Sequence, residues 1–319
     1  MLHREPFGDT DFEVTDIVLG TWKAGGTDWG PQNDLATVET IKRCVDGGVN
    51  LIDTATGYGM GRAERVIGYA LSDEGGARRG KALVMTKWYL WMGRDEEKIR
   101  DCSPQAQAEF LVGSKARLQQ DPLDVVLLHR DDQKTPIETA FETLAKYQAD
   151  GQMKYIGVSN YSLDHLRRAQ AVAPMQNYQI RFSLLDTEAR DDGRLDFCRE
   201  NNISVGVYSV LGSGWLAPRL KPGSEYPVWD RRHQSHQGPE FERMASLHAE
   251  LQKVADRHGW SVTQLAIAWV LSHPAVTFAI VGASTPEQAD HNMGVSGGRL
   301  GDDEVEECET LVREHRAER

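Results

Sequence analysis

Short apolar runs alternate along this chain with longer stretches in which apolar residues recur at helical spacing. Runs of this kind are typical of strands buried in a parallel sheet, and the longer stretches are typical of amphipathic helices. Residues 50–71 show the unit most clearly. Asn50-Leu51-Ile52 predict a short strand, and one helix face is marked by Ala63, Val66, Ile67, Ala70 and Leu71.

Eight such strand-then-helix units follow one another between residues 17 and 293. The predicted strands are 17–19, 50–52, 82–86, 124–128, 154–158, 175–180, 204–210 and 276–281. A regular succession over about 250 residues is typical of a closed (β/α)8 barrel, the TIM barrel. We therefore expect an α/β fold in which residues 1–319 form a single TIM-barrel domain, with the barrel core at about 17–293.

Two additions to the barrel are predicted. Residues 3–14 contain two short runs around the turn cluster Gly8-Asp9-Thr10-Asp11, which indicates an N-terminal β-hairpin. Residues 302–316 have one apolar face and many acids, which predicts a C-terminal extra helix against the barrel exterior.

Local signals predict where several helices begin and where a long loop lies. A Ser or Thr followed three residues later by Gln or Glu predicts a capping box, and this pattern occurs at Ser261 with Gln264 and at Thr135 with Glu138. Residues 211–239 contain four glycines and four prolines but no sustained period. We expect this segment to run over one face of the barrel.

Composition narrows the classes of partner. The formal net charge of -12 disfavours nucleic acid and anionic membrane surfaces, which both reward clusters of Lys and Arg. There is no apolar run of about 18 residues or more, and the N-terminus lacks the apolar core of a signal peptide. We expect a cytoplasmic protein without a membrane partner. The four cysteines are far apart in sequence and are predicted to be reduced thiols.

Ionisable side chains follow three successive predicted strands. Asp53 closes the second strand and Tyr58 follows five residues later, while Lys87 and His129 end the third and fourth strands. The carboxyl ends of parallel strands meet at one end of a barrel, so these side chains are expected to converge. Considered alone, Asp53 and Tyr58 are equally typical of a turn cap and an ordinary loop aromatic.

Such a cluster has a chemical use. A lysine cation next to a phenol favours the phenolate and lowers a pKa that is ordinarily about 10. An aspartate would keep the lysine charged and oriented. A histidine beside the phenol could donate a hydrogen bond to a carbonyl oxygen on which negative charge develops.

The runs that carry these residues resemble the aldo-keto reductases. DTATGYGMGRAERVIGYAL at 53–71, MTK at 85–87, LLH at 127–129 and GVSN at 157–160 agree with that family in order and spacing. The resemblance extends from about Val18 to Asn292. It implies an NAD(P)H-dependent oxidoreductase that interconverts an aldehyde or ketone with the corresponding alcohol. Its implied catalytic tetrad, with the tyrosine as general acid and base, is Asp53, Tyr58, Lys87 and His129.

The resemblance also implies a nicotinamide nucleotide along later strand ends. Ser159, Asn160 and Gln179 would bind the carboxamide, and Tyr208 would stack on the nicotinamide ring. A helix cap at 159–160 and a core aromatic at Tyr208 remain open alternatives. The complete set of implied cofactor residues is Gly20, Thr21, Trp22, Asp53, Ser159, Asn160, Gln179, Tyr208, Ser209, Val210, Leu211, Gly212, Gly214, Leu216, Gly282, Ser284, Thr285, Gln288 and Asn292.

The phosphates are expected on two of these loops. Gly212 and Gly214, in the loop 209–216, would let backbone N–H groups approach the pyrophosphate. The helix start at 282–292 would hold the adenosine 2′-phosphate. Many family members have an arginine where this chain has Gln288, which could instead complete a capping box with Thr285. NADP(H) is therefore favoured and NAD(H) remains possible.

A Rossmann fingerprint is not supported. Residues 57–62 read GYGMGR, so the third glycine of G-x-G-x-x-G is replaced by Arg62.

The substrate pocket is expected to involve Trp22, Tyr58, Trp88, His129 and Arg130. Many family members have tryptophan after the histidine, whereas Arg130 supplies a charge here. This favours a polar, hydroxylated or anionic small-molecule carbonyl or alcohol. Alternatively, Arg130 could pair with Asp131 or Asp132 as a solvated rim.

Other functions and properties remain open at this point. The chain could be an NAD-dependent sugar 1-dehydrogenase, or a non-catalytic regulatory protein that binds nicotinamide nucleotide. A monomer and a homo-oligomer are equally compatible with the sequence. No metal site is predicted, since His233 and His236 lack a third ligand at suitable spacing.

Overall fold

The structure is a computed structural model that describes residues 1–26, 29–92, 98–217, 226–228, 230 and 232–315. Within these ranges, eight parallel strands close a barrel and two antiparallel hairpins accompany it. The strands are β1 Arg4–Pro6, β2 Glu13–Thr15, β3 Ile17–Gly20, β4 Leu51–Asp53, β5 Leu83–Trp88, β6 Leu90–Met92, β7 Lys98–Arg100, β8 Leu123–Leu128, β9 Met153–Ser159, β10 Asn177–Arg181, β11 Ser204–Tyr208 and β12 Phe278–Gly282.

Helices cover the outside of the barrel. The barrel strands follow chain order, β3-β4-β5-β8-β9-β10-β11-β12, and β12 pairs with β3. The helices are α1 Asp34–Asp46, α2 Arg62–Gly76, α3 Pro104–Leu118, α4 Ile137–Ala149, α5 Leu163–Val172, α6 Glu188–Asp191, α7 Arg194–Glu200, α8 Arg232–Ser235, α9 Gly238–Asp256, α10 Val262–Leu271, α11 Pro286–Met293 and α12 Asp302–His315.

The predicted barrel and its two additions are confirmed. The hairpin β1–β2 precedes the barrel. The C-terminal helix α12 buries Cys308 and Val312, and Arg257, which directly follows α9, pairs with Glu307 of α12 at 2.6 Å. Residue 316 of the predicted helix lies outside the described residues.

Alternation along the strands produces two apolar cores. Successive strand residues point to opposite faces, so one set fills the barrel and the other meets the helices. The interior set packs around Phe7 of the N-terminal segment and comprises Phe7, Val14, Val18, Leu51, Met85, Val125, Leu127, Phe278 and Ile280. The larger set lies between strands and helices and is equally well buried.

This alternation also directs the polar residues at the strand ends. Asp53, Lys87 and His129 each lie two positions beyond a member of the interior core, so all three continue the inner face up to the barrel mouth. Trp88 has the opposite parity and points into the helix layer. The ionisable side chains therefore converge at the barrel mouth, as the strand pattern predicted.

Aromatic rings close the opposite end of the barrel. Phe7 stacks near Phe278 at 6.3 Å between ring centroids and meets Tyr155 at 5.5 Å. The β1–β2 pairing sets Arg4 opposite Thr15, which holds the segment that follows β1 beneath the strands. The hairpin thus seals the barrel floor.

A second hairpin, β6–β7, was not predicted, since the sequence after β5 was interpreted as a tryptophan-rich loop. It pairs Leu90 with Arg100, and Thr56 donates a hydrogen bond to the Leu90 carbonyl at 3.2 Å. The hairpin is thereby fixed against the loop that carries Tyr58.

Two expectations from composition can be compared with the structure. All four cysteines are buried and unpaired. Across the described ranges, none of the helices has both the length and the apolar character that crossing a membrane requires.

Candidate active site

A buried ammonium lies at the centre of the barrel mouth. Lys87 Nζ donates to Asp53 Oδ1 and to the Thr54 carbonyl, each at 2.7 Å, and lies 3.4 Å from the Tyr58 hydroxyl oxygen. Gln179 reaches across the barrel and donates to the same Asp53 oxygen at 2.8 Å. The structure thus brings together side chains from the carboxyl ends of three different strands, β4, β5 and β10.

Burial and pairing have opposite effects on the Lys87–Asp53 pair. Burial lowers the pKa of Lys87 and raises the pKa of Asp53, while each charge favours the charged form of the other. The 2.7 Å contact and the N–H of Gln179 both satisfy a carboxylate oxygen. We therefore assign Lys87 as ammonium and Asp53 as carboxylate.

The pKa of Tyr58 differs from the sequence expectation. Burial raises the pKa of this phenol well above its ordinary value, and the negative charge of Asp53 raises it further. The ammonium of Lys87, 3.4 Å from the hydroxyl oxygen, does not outweigh these two effects, so the lowering expected from the sequence is not found. Tyr58 is thus a protonated phenol, the form that can donate a proton.

His129 is a neutral imidazole next to that phenol. Burial lowers the pKa of His129 well below its ordinary value, and the nearby charges of Lys87 and Arg130 lower it further. Its ring meets Tyr58 edge-on at 6.0 Å and Tyr89 at 6.4 Å between centroids. A neutral imidazole retains one N–H donor.

Two tryptophans form part of the mouth on the side of β3. Trp22 stacks against Tyr58 at 6.4 Å between centroids, and Trp29 meets Trp22 edge-on at 5.5 Å. The predicted position of Trp22 beside the phenol is therefore what the structure shows. Trp29 was missed by the sequence interpretation, and its only signal was its place in the same glycine-rich loop.

Trp88 does not line the mouth, so its assignment to the substrate pocket was wrong. Its ring is fully buried in the helix layer, stacks with Phe110 at 6.2 Å and donates to Ser114 Oγ at 3.2 Å. The physical reason is that β5 continues through Trp88, so the alternation that points Lys87 inward turns the next residue outward.

Arg130 is an exposed cation at the rim. Its positive charge opposes the rise in the pKa of Tyr58 and adds to the lowering of the pKa of His129, so it acts on both groups at the mouth. Asp131 lies near His165 at 3.6 Å, and Asp132 accepts from backbone N–H groups, that of Cys102 among them. Among the described residues Arg130 has no carboxylate in ion-pair contact, so the alternative in which it pairs with Asp131 or Asp132 is not observed.

The predicted nicotinamide residues form one hydrogen-bonded group. Asn160, with a left-handed backbone, donates to Ser159 Oγ at 2.9 Å and to the His129 carbonyl at 3.1 Å. Tyr208 donates to Asn160 Oδ1 at 2.5 Å. An aromatic ring and amide groups thus lie next to His129, an arrangement that fits a flat aromatic ring with an amide substituent.

The loop 209–216 differs from the expectation for its glycines. Gly212 N–H donates to the Ser209 carbonyl at 2.8 Å, and Gly214 N–H donates to Leu211 at 2.9 Å. Both glycines have positive φ, so they are needed for the turns. Their N–H groups are engaged inside the loop rather than presented to a phosphate.

Two other residues of that loop serve as anchors. Val210 and Leu216 are almost fully buried in the helix-layer core, and Thr263 donates to the Leu216 carbonyl at 3.1 Å. Their side chains are therefore unavailable to a cofactor, which leaves only their backbone groups for the predicted cofactor role.

The start of α11 lies next to the first barrel loop. Lys23 Nζ donates to Ser284 Oγ at 2.8 Å. Gln288 accepts from the Ser284 N–H at 2.9 Å, while its own N–H donates to Thr285 Oγ1 at 3.3 Å. The predicted capping box is thus shifted, with the Gln288 side chain bonding one residue before the N-cap. A lysine beside a helix N-terminus favours an anion.

The remaining predicted residues have structural contacts at this edge. Thr21 donates through its hydroxyl to the Asp53 carbonyl at 2.7 Å. Asn292 donates to the Gly282 carbonyl at 3.4 Å. Gly20 pairs with Asp53 in the β3–β4 ladder, and a Cβ there would lie 2.9 Å from Ile280.

Sequence reasoning missed Lys23 and Thr54. Lys23 directly follows Trp22, and this basic residue on the first loop was the available signal. Thr54 acts through its carbonyl, and a backbone group leaves no trace in residue type.

The fold and the geometry at its mouth place the chain among barrel enzymes whose chemistry occurs at the carboxyl ends of the strands. The family model described as the Aldo/keto reductase family matches residues 16–313. The chain belongs to the aldo/keto reductase family and is accordingly an NAD(P)-dependent oxidoreductase of carbonyl and alcohol groups.

Named relatives cover nearly the whole chain. The aldo-keto reductase YhdN of Bacillus subtilis is 31% identical over 95% of this chain and 92% of its own length. The NADH-specific methylglyoxal reductase of Escherichia coli is 29% identical over 98% of both chains. The solved glycerol dehydrogenase AKR11B4 from Gluconobacter oxydans is 31% identical, with a TM-score of 0.89 over 98% of this chain and 95% of that one.

Proposed function

We propose that this enzyme reduces a small polar or hydroxylated aldehyde or ketone, with Tyr58 as the general acid. The observation that carries the proposal is the Tyr58 hydroxyl, protonated and 3.4 Å from the ammonium that Asp53 holds. A bound reduced nicotinamide would supply the hydride. The chain supplies the proton and the polarisation of the carbonyl.

Each side chain has a separate task in this proposal. Tyr58 gives its proton to the carbonyl oxygen, and Lys87 stabilises the phenolate that remains. Asp53 keeps Lys87 charged and in place. His129, neutral, donates a hydrogen bond to the same substrate oxygen and orients it.

The reverse reaction requires the opposite form of the phenol. Alcohol oxidation uses phenolate as the base. Because burial raises the pKa of Tyr58, the phenol stays protonated near neutral pH and phenolate forms only at alkaline pH. Reduction should therefore dominate near neutral pH, and oxidation should increase toward alkaline pH. Relatives named as a methylglyoxal reductase and a glycerol dehydrogenase support small oxygenated substrates in either direction.

The function is tested by following reduced-nicotinamide absorbance with a panel of carbonyls. We expect turnover with methylglyoxal and glyceraldehyde, and alcohol oxidation with glycerol at higher pH. Efficient NAD-dependent oxidation of aldoses, without carbonyl reduction, would instead favour the sugar 1-dehydrogenase alternative. Nucleotide binding without turnover of any member would favour the regulatory alternative.

Arg130 is expected to select polar substrates. Replacing it by Met keeps the length of the side chain and removes the charge, so kcat/KM for carboxylate-bearing aldehydes should fall about tenfold. Benzaldehyde should be unaffected. The matched control is Arg181→Met, since Arg181 also lies at a strand end but pairs with Asp186 at 2.9 Å. An equal loss for both aldehydes, or a preference of the parent enzyme for benzaldehyde, contradicts this role.

For the cofactor, we propose a preference for NADP(H), with NAD(H) also accepted. Lys23 and Ser284 at the start of α11 offer a cation and a hydroxyl, but Gln288 provides no charge.

Gln288→Arg should therefore increase affinity for NADPH about tenfold, equivalent to about 1.4 kcal/mol, because it adds a cation at the same helix start. NADH, which lacks the 2′-phosphate, serves as the internal control and should bind as before. The two dissociation constants are measured by quenching of tryptophan fluorescence. If the affinity for NADH rose as much as that for NADPH, the added arginine would contact the pyrophosphate, which both nucleotides carry, and not the 2′-phosphate.

A further inference from the structure

A second buried charge lies behind Lys87, on the helix side of β5. Glu64 of α2 has no exposed surface. One carboxylate oxygen accepts from Thr86 Oγ1 at 2.7 Å, and the other accepts from Arg117 Nε of α3 at 2.6 Å. The steps assigned to the four residues at the mouth make no use of this group.

A buried carboxylate is costly unless it is paired and hydrogen-bonded. An apolar contact between α2 and α3 would stabilise the fold at least as well, so the pair needs another explanation. Both partners of Glu64 lead to the site. Thr86 immediately precedes Lys87 in β5, and its hydroxyl faces Glu64 while Lys87 faces the mouth.

The other partner leads to the loop that carries Tyr58. A Cβ on Gly61 would lie 2.5 Å from Arg117 Cδ and Nε, and a Cβ on Gly113 would lie 2.7 Å from Arg117 Nη1. Gly61 is the N-cap of α2 and follows Tyr58 by three residues. Two glycines thus leave space for the arginine, which packs directly on the end of the Tyr58 loop.

We propose that Glu64 is a positioning residue that ties the Tyr58 loop to the Lys87 strand and keeps a negative charge behind the Lys87 ammonium. Through Thr86 it fixes the strand position just before Lys87. Through Arg117 it fixes the loop end just after Tyr58. This inference rests on the proposed roles of Tyr58 and Lys87.

The electrostatic part of the proposal follows from the charges around Lys87. Burial lowers the pKa of Lys87, whereas Asp53 and then Glu64 raise it. The groups at the mouth that face Lys87 and also carry charge or titrate are Asp53, Tyr58 and His129. Removing the charge of Glu64 leaves the Arg117 cation uncompensated, and both changes disfavour protonated Lys87.

The test is Glu64→Gln, which keeps the shape and the oxygen that accepts from Thr86 but removes the charge. We expect kcat to fall about tenfold at neutral pH, while KM and the nucleotide dissociation constant change less than about twofold. The alkaline limb of the kcat profile for reduction should move to lower pH by about one unit, because Lys87 loses its proton more readily.

Asp124→Asn is the matched control. Asp124 is also buried, pairs with Lys154 at 2.7 Å, and accepts from Val84 N–H at 3.0 Å in the same strand, but at the end away from the mouth. This variant should lose stability and keep the pH profile of the parent enzyme. A profile of Glu64→Gln that superimposes on that of the parent would overturn the proposal.

A second pair of variants covers the case in which Glu64→Gln does not fold. Thr86→Val removes the link to β5 and should lower kcat about tenfold, whereas Thr86→Ser keeps the hydroxyl and should restore it. Equal kcat values for Thr86→Val and the parent would also overturn the inference. Tyr58→Phe distinguishes failure of this inference from failure of the proposed function, because retained turnover in that variant would refute the proposed function itself.

Discussion

Replacing Tyr58 by Phe is expected to abolish carbonyl reduction while leaving nucleotide binding intact. The substitution removes only the hydroxyl that lies 3.4 Å from Lys87 Nζ and keeps the ring that stacks on Trp22. Loss of a general acid lowers the rate of the chemical step by about 10²- to 10⁴-fold, so we expect kcat to fall by a factor of this size. The measurements are kcat with methylglyoxal and nucleotide affinity from tryptophan fluorescence.

Tyr89→Phe is the control for this substitution. Tyr89 lies beside His129 at 6.4 Å between ring centroids, as Tyr58 does at 6.0 Å. The pKa of Tyr89 is also raised by burial. A change of no more than about threefold is expected for Tyr89→Phe, since the proposal gives its hydroxyl no proton to transfer. Substantial turnover in Tyr58→Phe would mean that another group supplies the proton.

The second large effect is expected for Lys87→Met. Asp53 would remain as a buried carboxylate with only the Gln179 N–H described as a side-chain partner. Loss of one member of a buried pair lowers the free energy of unfolding by about 3–5 kcal/mol. Turnover should fall by about 10³-fold, since the phenolate left by proton transfer loses its counter-charge. Urea unfolding and kcat measure the two effects.

A double variant separates stability from chemistry. Lys87→Met with Asp53→Asn removes both charges, and the new amide can still accept from Gln179. Stability should largely return while turnover stays low. If the single variant were as stable as the double variant, the assignment of Asp53 as a carboxylate would be wrong.

The polar residues of the mouth were predictable because strand parity is a property of sequence. Apolar runs ending at Asp53, Lys87 and His129 indicated both the strand and its inner face. The same rule would have excluded Trp88 had the predicted strand been extended through residue 88. A loop was expected there, and β5 instead continues through it to pair with Leu128 of β8.

Helix starts show where local signals succeed and fail. The capping box at Ser261 is confirmed, with reciprocal bonds to Gln264 of 3.2 and 3.1 Å. The one predicted at Thr135 was wrong, because its hydroxyl donates to Asp132 at 2.8 Å and the helix begins at Ile137. A competing carboxylate three residues earlier was visible in the sequence, but its geometry was not.

Contacts between distant segments were beyond sequence reasoning. Lys23 and Ser284 are separated by 261 positions, and neither residue type implies the other. The raised pKa of Tyr58 likewise depends on how deeply the mouth buries the phenol, which composition does not encode.

The sealed floor has a kinetic consequence. Because Phe7 and Phe278 fill the far end of the barrel, the dinucleotide and the carbonyl compound must both reach the phenol through the barrel mouth. Whichever of the two occupies the deeper place has to enter first and depart last. Double-reciprocal plots of the initial rate should therefore intersect, as in a ternary-complex mechanism. The alcohol product, while bound, should slow the release of the oxidised dinucleotide.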